Sequence, residues 1–163
     1  MFDYKGKIVV VSGASSGLGS QMAKGYARQG ATVIITARRM EKLEKVAEEI
    51  RSLGAECLPI RCDVTDVESV NACALEVKEK YGKVDVLVNC AGSAKNAGVL
   101  DMTDEDWDFT IKTDMTSLFY VTRAFAKIMK EHHYGRIINI ASMYGMVGNM
   151  AMDTVCLLYT SPS

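Results

Sequence analysis

The stretch "VSGASSGLG" has the residue types and spacing to hold a phosphate group. Gly13, Gly17 and Gly19 follow a short apolar run and open a helical pattern. Glycines let the backbone approach a pyrophosphate closely, and the first N–H groups of a helix then face the anion. The alternative is a purely structural turn. The pattern predicts a dinucleotide-binding turn formed by Gly13, Ser15, Ser16, Gly17, Leu18 and Gly19.

The next polar residues that could bind a ligand follow the second apolar run, where the sequence reads "TARR". Many NAD enzymes place an acid there for the ribose 2′-hydroxyl, whereas this chain has Arg38 and Arg39. An acid about 4 Å from a 2′-phosphate would weaken binding by roughly 1–4 kcal/mol per charge pair, whereas a guanidinium at the same place would strengthen it. The alternative is that both arginines only begin a solvated helix. We predict that the cofactor is NADP(H) rather than NAD(H).

The elements that position these residues are short apolar runs alternating with helical patterns. Strands are predicted at "KIVVVSG", "ATVIITA", "ECLPIRCDV", "VDVLVNCAG" and "GRIINIAS", and the last is preceded by a long helix over about 104–132. Pro59 places the third strand at an edge. Asp66 and Gly82 are expected to cap one helix. Continuous apolar strands separated by helices predict a parallel sheet with helices on both faces.

Composition excludes several classes of function. The chain has 163 residues and a formal net charge of -1, so nucleic acid and anionic membranes are poor partners. The N-terminal apolar run of four residues is too short for a signal peptide, and we predict a cytoplasmic protein. The five cysteines form no CxxC pair, and the adjacent histidines His132 and His133 have no second ligand cluster, so no metal site is predicted.

Four motifs in order resemble those of the short-chain dehydrogenase/reductase family, over about residues 5–154. "SGASSGLG" is similar to its cofactor loop, "CDVTD" to its adenine-binding turn, "NCAG" to its Asn-Asn-Ala-Gly strand end and "GRIINIAS" to its fifth strand. The resemblance implies a Rossmann-type doubly wound α/β/α fold, here with strands 1–5 in the order 3-2-1-4-5. It also implies site roles for Asp63, Val64, Asn89, Ala91, Gly92 and Ser142.

The family's chemistry is hydride transfer between nicotinamide and a carbonyl or secondary alcohol. The resemblance implies that Ser142 hydrogen-bonds the substrate oxygen, with a tyrosine moving the proton and a lysine four residues later lowering its pKa. A free phenol has a pKa near 10, so a nearby ammonium is needed for phenolate to form. The chain resembles members that act on sugar acids, as gluconate 5-dehydrogenases do, and nearly as closely those that act on oxoacyl carrier-protein substrates; the resemblance favours a sugar acid. A homotetramer or homodimer is implied for the full-length form.

Two departures from the family matter. Counting from Trp107 places Asp114 where the family has an asparagine near the catalytic site, so Asp114 is a candidate catalytic residue whose charge puts the family role in doubt. No tyrosine in the chain is followed by lysine at the fourth position; Tyr159, for example, is followed there by Ser163. The given chain is therefore an oxidoreductase fragment without the Tyr-x3-Lys pair, or alternatively a catalytically inactive dinucleotide-binding fragment.

The final residues "CLLYTSPS" differ in character from the rest of the chain. They can be back-translated as TGT CTC TTA TAC ACA TCT CCG AGC, which resembles a transposon sequencing adapter read in frame. We predict that residues 1–154 are the N-terminal part of a Rossmann-fold domain and that 155–163 are a non-native tail.

Overall fold

The computed structural model describes residues 3–93, 95, 97–98 and 100–142, and these form a parallel sheet flanked by helices. The strands are β1 (Ile8–Ser12), β2 (Thr32–Ala37), β3 (Cys57–Arg61), β4 (Val86–Asn89) and β5 (Arg136–Asn139). The helices are α1 (Gly17–Arg28), α2 (Met40–Ser52), α3 (Val67–Tyr81), α4 (Asp104–Thr110) and α5 (Ser117–Glu131). The predicted domain boundary at 154, Tyr159 and the predicted tail lie outside the described residues.

Sheet order is β3-β2-β1-β4-β5, with every pairing parallel, which confirms the predicted topology. Pro59 lies in the edge strand β3, as its missing N–H requires. Because all strands run in the same direction, their carboxyl ends meet along one edge. The predicted phosphate-binding turn follows β1, at the centre of that edge.

Alternation along the strands builds a separate hydrophobic core on each face of the sheet. Val9, Val11 and Val33 pack with the apolar sides of α1 and α2. Val10, Ile34 and Leu87 pack with α3 and α5 on the opposite face. Strands buried on both faces explain why the apolar runs in the sequence are continuous rather than alternating. The three-layer α/β/α architecture is therefore as predicted.

Helix ends follow the expected capping chemistry. The Asp66 side chain accepts a hydrogen bond from the Glu68 N–H at 3.0 Å, and Gly82 closes α3 in the left-handed conformation at φ 72°. No helix among the described residues could span a membrane.

The predicted long helix over about 104–132 contains one irregularity. Ile111–Thr116 forms a π-helical segment that joins α4 to α5. A π-helical turn holds an extra residue and shifts the side chains around the helix axis, and such turns occur frequently at functional sites. Here the segment passes beside the carboxyl ends of the strands, because Thr113 is one of the residues that line the cleft at this edge.

Candidate dinucleotide site

An open cleft of about 170 Å³ lies at the carboxyl edge of the sheet. Four of the five strands that end at this edge contribute to its described lining, through the turn after β1 and the residues at or just after the ends of β2, β3 and β4. In open parallel sheets this edge is where ligands bind, at the point where the strand order reverses. The described lining consists of Gly13, Ser15, Ser16, Ala37, Arg38, Arg39, Cys62, Asp63, Val64, Thr65, Cys90, Ala91, Gly92, Ser93 and Thr113.

The glycine turn has a backbone that only glycine accommodates. Gly13 has φ +71°, and a Cβ there would lie 2.6 Å from the Ala91 Cα. Gly19 lies against the same turn, where a Cβ would lie 2.5 Å from the Gly13 carbonyl oxygen. The first turn of α1 carries no acidic residue, and Ser16 makes no side-chain cap. The start of α1 therefore offers backbone donors that suit an anion.

Ser12 joins the glycine turn to the end of β4. Its Oγ accepts hydrogen bonds from the backbone N–H groups of Cys90 at 3.1 Å and Ala91 at 3.3 Å. The same hydroxyl donates to the Val88 carbonyl at 3.4 Å. Ser12 is 2 % exposed, so these bonds are shielded from water. The hydroxyl thereby fixes the separation between the two segments that form the floor of the cleft.

Asp63 is held as a carboxylate beside the arginine side of the cleft. Its Oδ1 accepts hydrogen bonds from the Thr65 N–H at 3.0 Å and the Thr65 hydroxyl at 2.8 Å. Burial opposes ionisation, but these hydrogen bonds and the charges of Arg38 and Lys112 outweigh it and lower the pKa of Asp63. A fixed carboxylate of this kind can accept hydrogen bonds from the amino group of a base.

Most of the predicted cofactor residues line the cleft. These are Gly13, Ser15, Ser16, Arg38, Arg39, Asp63, Val64, Ala91 and Gly92. Gly17, Leu18 and Gly19 form the first turn of α1 beside it, and Leu18 is 68 % exposed. Asn89 lies elsewhere: its Nδ2 donates to Thr122 Oγ1 at 3.0 Å and to Asn139 Oδ1 at 2.9 Å, within the sheet and against α5.

Asp114, in the π-helical segment, binds the loop after β4. Its Oδ1 accepts a hydrogen bond from the Ser93 N–H at 2.8 Å, and a Cβ added to Gly92 would lie 3.1 Å from the same oxygen. Burial raises the pKa of Asp114, and the Ser93 N–H only partly opposes this shift. The charged carboxylate is thus disfavoured in the folded protein, although one of its oxygens has a structural partner.

Replacing Asp114 with asparagine is expected to raise the free energy of unfolding near pH 8, because the amide keeps an oxygen acceptor without the charge. A raised folded-state pKa means that wild-type stability falls as pH rises from the unfolded value through the folded value. The gain should therefore shrink toward about pH 3, below the unfolded value near 3.9, where Asp114 is mostly protonated in both the folded and the unfolded state. Urea unfolding at both pH values measures it. Asp114→Ala, the control, removes the acceptor of the Ser93 hydrogen bond and should lower the free energy of unfolding by about 0.5–1.5 kcal/mol.

Ser142 lies three residues beyond the end of β5, at the same edge of the sheet. It is not among the described residues that line the cleft. Its assignment as the catalytic serine stays a prediction. Among the described residues there is also no cluster of three or more metal-ligating side chains.

Sequence reasoning missed several lining residues. Ala37, Cys62 and Thr65 are neighbours of predicted residues in the motifs after β2 and β3, Cys90 lies inside the "NCAG" motif at the end of β4, and Ser93 follows that motif. Their proximity in sequence was an available signal. Thr113 had no such signal, because only the path of the π-helical segment across the sheet edge brings it to the cleft.

The sheet order, the glycine turn at its centre and the polar groups around the cleft define a Rossmann-type α/β protein with a candidate dinucleotide site. Comparison with known proteins narrows this class. The family model described as short chain dehydrogenase matches residues 7–154. The chain therefore belongs to the short-chain dehydrogenase family, whose members are oxidoreductases.

Individual relatives agree with this assignment. The chain is 34% identical over 145 residues to the 3-oxoacyl-[acyl-carrier-protein] reductase of Thermotoga maritima, covering 89% of this chain and 59% of that protein. Two solved structures are similar: an actinorhodin polyketide ketoreductase variant with NADPH (TM-score 0.89, 35% identity) and an NAD+-bound xylitol dehydrogenase (TM-score 0.92, 32% identity). The match to the ketoreductase covers 93% of this chain and 59% of that protein, and the match to the xylitol dehydrogenase covers 96% and 61%. The chain therefore spans about three fifths of the length of these relatives.

Proposed function

We propose that this chain is part of an NADP(H)-dependent oxidoreductase that transfers hydride between nicotinamide and a carbonyl or secondary alcohol. The observation that carries the proposal is the charge around the cleft. Arg38, Arg39 and Asp63 line it beside a glycine turn that has no room for a side chain at Gly13 or Gly19. This arrangement suits an adenosine carrying a 2′-phosphate, joined to a pyrophosphate.

The described residues would each hold a different part of the cofactor. The backbone of Gly13, Ser15 and Ser16 would face the pyrophosphate, Asp63 and Val64 the adenine, and Arg38 the 2′-phosphate. Ala91 and Gly92 would lie along the ribose and lead toward the nicotinamide. When bound, the nicotinamide supplies hydride chemistry, and the protein supplies binding and orientation.

The substrate is proposed to be an oxoacyl thioester rather than a sugar acid. The sequence resembles reductases of both kinds, but the curated relative described above is an oxoacyl carrier-protein reductase. One solved structure is a polyketide ketoreductase, whereas the other is a xylitol dehydrogenase, which keeps a polyol substrate as the alternative. Comparing β-ketoacyl thioester reduction with gluconate oxidation in the longer protein distinguishes the two.

A second candidate function is that the 163-residue chain binds a dinucleotide without turnover. The specific observation is the lack of a tyrosine followed by lysine at the fourth position. A cofactor titration beside an activity assay on the same sample separates the two candidates. Binding with turnover supports the enzyme, and binding without turnover supports the inactive fragment. No binding of either nicotinamide dinucleotide by the folded chain contradicts both.

Assembly of the longer protein as a homodimer or homotetramer is also proposed. The α4–α5 region exposes apolar side chains on the outside of the molecule: Trp107 (39 %), Phe109 (37 %), Met115 (47 %) and Phe119 (56 %). Exposed apolar groups gathered on one helical region favour association with another surface. A second copy of the same region would bury them symmetrically.

Replacing Arg38 with alanine is expected to weaken NADPH binding about 10- to 100-fold while changing NADH binding less than about threefold. The reason is that the guanidinium would contact only the 2′-phosphate. Fluorescence titration of NADPH and NADH measures both affinities. Arg28→Ala is the matched control, because Arg28 lies in the last turn of α1, at the opposite end from the glycine turn. An equal loss for both cofactors would argue against the assigned role of Arg38.

A further inference from the structure

Two cysteines are packed in the core where β3 meets α3, at one end of the cleft. Cys62 directly follows β3 and is one of the residues that line the cleft, whereas Cys73 lies in α3. Both belong to the same hydrophobic core, in which Cys62 is 3 % and Cys73 is 1 % exposed. Both are free thiols. The cofactor contacts proposed above give neither of them a role.

Ser69, in the first turn of α3, holds this helix against the residues that follow β3. Its Oγ accepts a hydrogen bond from the Asp63 N–H at 3.0 Å, and its carbonyl oxygen accepts one from the Cys62 Sγ at 4.0 Å. Cys73 comes four residues after Ser69, so its N–H is directed at the same carbonyl oxygen within the α-helix. Helix side chains tilt toward the N-terminus, and this tilt directs the Cys73 thiol back toward Cys62.

The two thiols interact with each other, and their roles differ. A hydrogen bond with Cys73 lowers the pKa of the Cys62 thiol, although burial acts in the opposite direction. The same hydrogen bond, together with burial, raises the pKa of the Cys73 thiol. Cys73 is thus the donor and Cys62 the acceptor. The thiolate is the form of cysteine that reacts with oxidants, so Cys62, which also lines the cleft, is the more reactive member of the pair.

We propose that Cys62 and Cys73 form a redox-modification site, at which hydrogen peroxide converts the two thiols into a reversible disulfide. Peroxide reaches Cys62 through the cleft, the O–O bond breaks, and the products are a sulfenic acid on Cys62 and one water. The Cys73 sulfur then attacks the Cys62 sulfur, so that the S–S bond forms, the S–O bond breaks, and the hydroxyl leaves with the Cys73 proton as a second water. Both sulfurs are oxidised and the peroxide is reduced, and a dithiol reductant restores both thiols.

The test treats the folded 163-residue chain with hydrogen peroxide, alkylates the remaining thiols and digests the product with trypsin. Cleavage after Arg61 and Lys78 leaves both cysteines in one peptide, residues 62–78, because no lysine or arginine lies between these positions. Mass spectrometry is expected to show that this peptide loses both alkylation sites and two hydrogen atoms. Dithiothreitol added after the peroxide should restore both alkylation sites.

Cys57 is the matched internal control, because it lies in β3 but packs in the opposite core, where burial raises the pKa of its thiol to about 12. It should stay open to alkylation, once the chain is unfolded, at the peroxide dose that oxidises residues 62–78. Cys73→Ala should leave Cys62 as a sulfenic acid that dimedone traps, and circular dichroism verifies that this variant is folded. If it does not fold, the wild-type peptide decides the question by itself. Two intact alkylation sites in that peptide when Cys57 is already oxidised overturn the inference, and so does a disulfide from Cys62 to any other cysteine.

Discussion

Gly13→Ala is expected to lower the free energy of unfolding by about 2–5 kcal/mol and to abolish dinucleotide binding. At φ +71° a side chain costs roughly 1–2 kcal/mol in backbone strain. The added Cβ would lie 2.6 Å from the Cα and 2.7 Å from the N of Ala91, and overpacking of this kind typically costs about 1–3 kcal/mol more. The neighbouring backbone cannot easily withdraw, because the Ser12 hydroxyl holds Cys90 and Ala91 in place.

Substitutions at two other glycines separate the cost of backbone strain from the cost of overpacking. Gly17 has φ +58° with nothing within 4 Å of a built Cβ, so Gly17→Ala should show only the backbone cost of about 1 kcal/mol. Gly25, inside α1, has neither a positive φ nor a close neighbour, and Gly25→Ala should stabilise the chain by about 0.5–1 kcal/mol. Urea unfolding followed by circular dichroism ranks the three variants. If Gly13→Ala cost no more than Gly17→Ala, the close approach to Ala91 would not be the constraint described.

The fold was predictable because local signals and global topology agree. The apolar runs are continuous, as strands buried on both faces must be, and Pro59 correctly placed β3 at an edge. Asp66 and Gly82 delimit α3 by chemistry that can be read from the residue types alone. The π-helical segment could not be predicted this way. Its six residues have no distinctive composition, and its position relative to the sheet edge is a tertiary feature.

The residues of the candidate site also fall into two groups, those that the sequence could predict and those that it could not. Arg38 was predictable because it directly follows β2, and Asp63, two residues after β3, because its motif resembles the family's adenine-binding turn. Asn89 also belongs to a predicted strand, but the two-residue alternation turns its side chain toward α5 and Asn139. Thr113 comes from a helical region where no strand end indicates its position. Only the three-dimensional path of the chain brings it to the cleft.

Asp85 connects three strands at the opposite edge of the sheet from the cleft, and its side chain is 6 % exposed. Its Oδ2 accepts hydrogen bonds from the Ile8 N–H at 2.9 Å and lies 3.0 Å from Lys83 Nζ, while Oδ1 accepts from Lys7 Nζ at 3.1 Å. Its backbone pairs with Ile8 and with Arg136. Burial alone would raise the pKa of Asp85, but these donors outweigh burial and lower it.

Asp85→Ala is expected to lower the free energy of unfolding by about 3 kcal/mol at neutral pH, because it leaves the Ile8 N–H unpaired and two ammonium groups without their carboxylate. Asp85→Asn keeps an oxygen for Ile8 and should lose less. A lowered folded-state pKa gives stability that is present above the unfolded value, about 3.9, and is lost as pH falls through the folded value. Wild-type stability should therefore fall below about pH 4 more steeply than that of Asp85→Asn. Urea unfolding across this range measures both slopes, and parallel slopes would mean that the Asp85 charge contributes nothing to stability, so that its lysine neighbours act only as solvated surface groups.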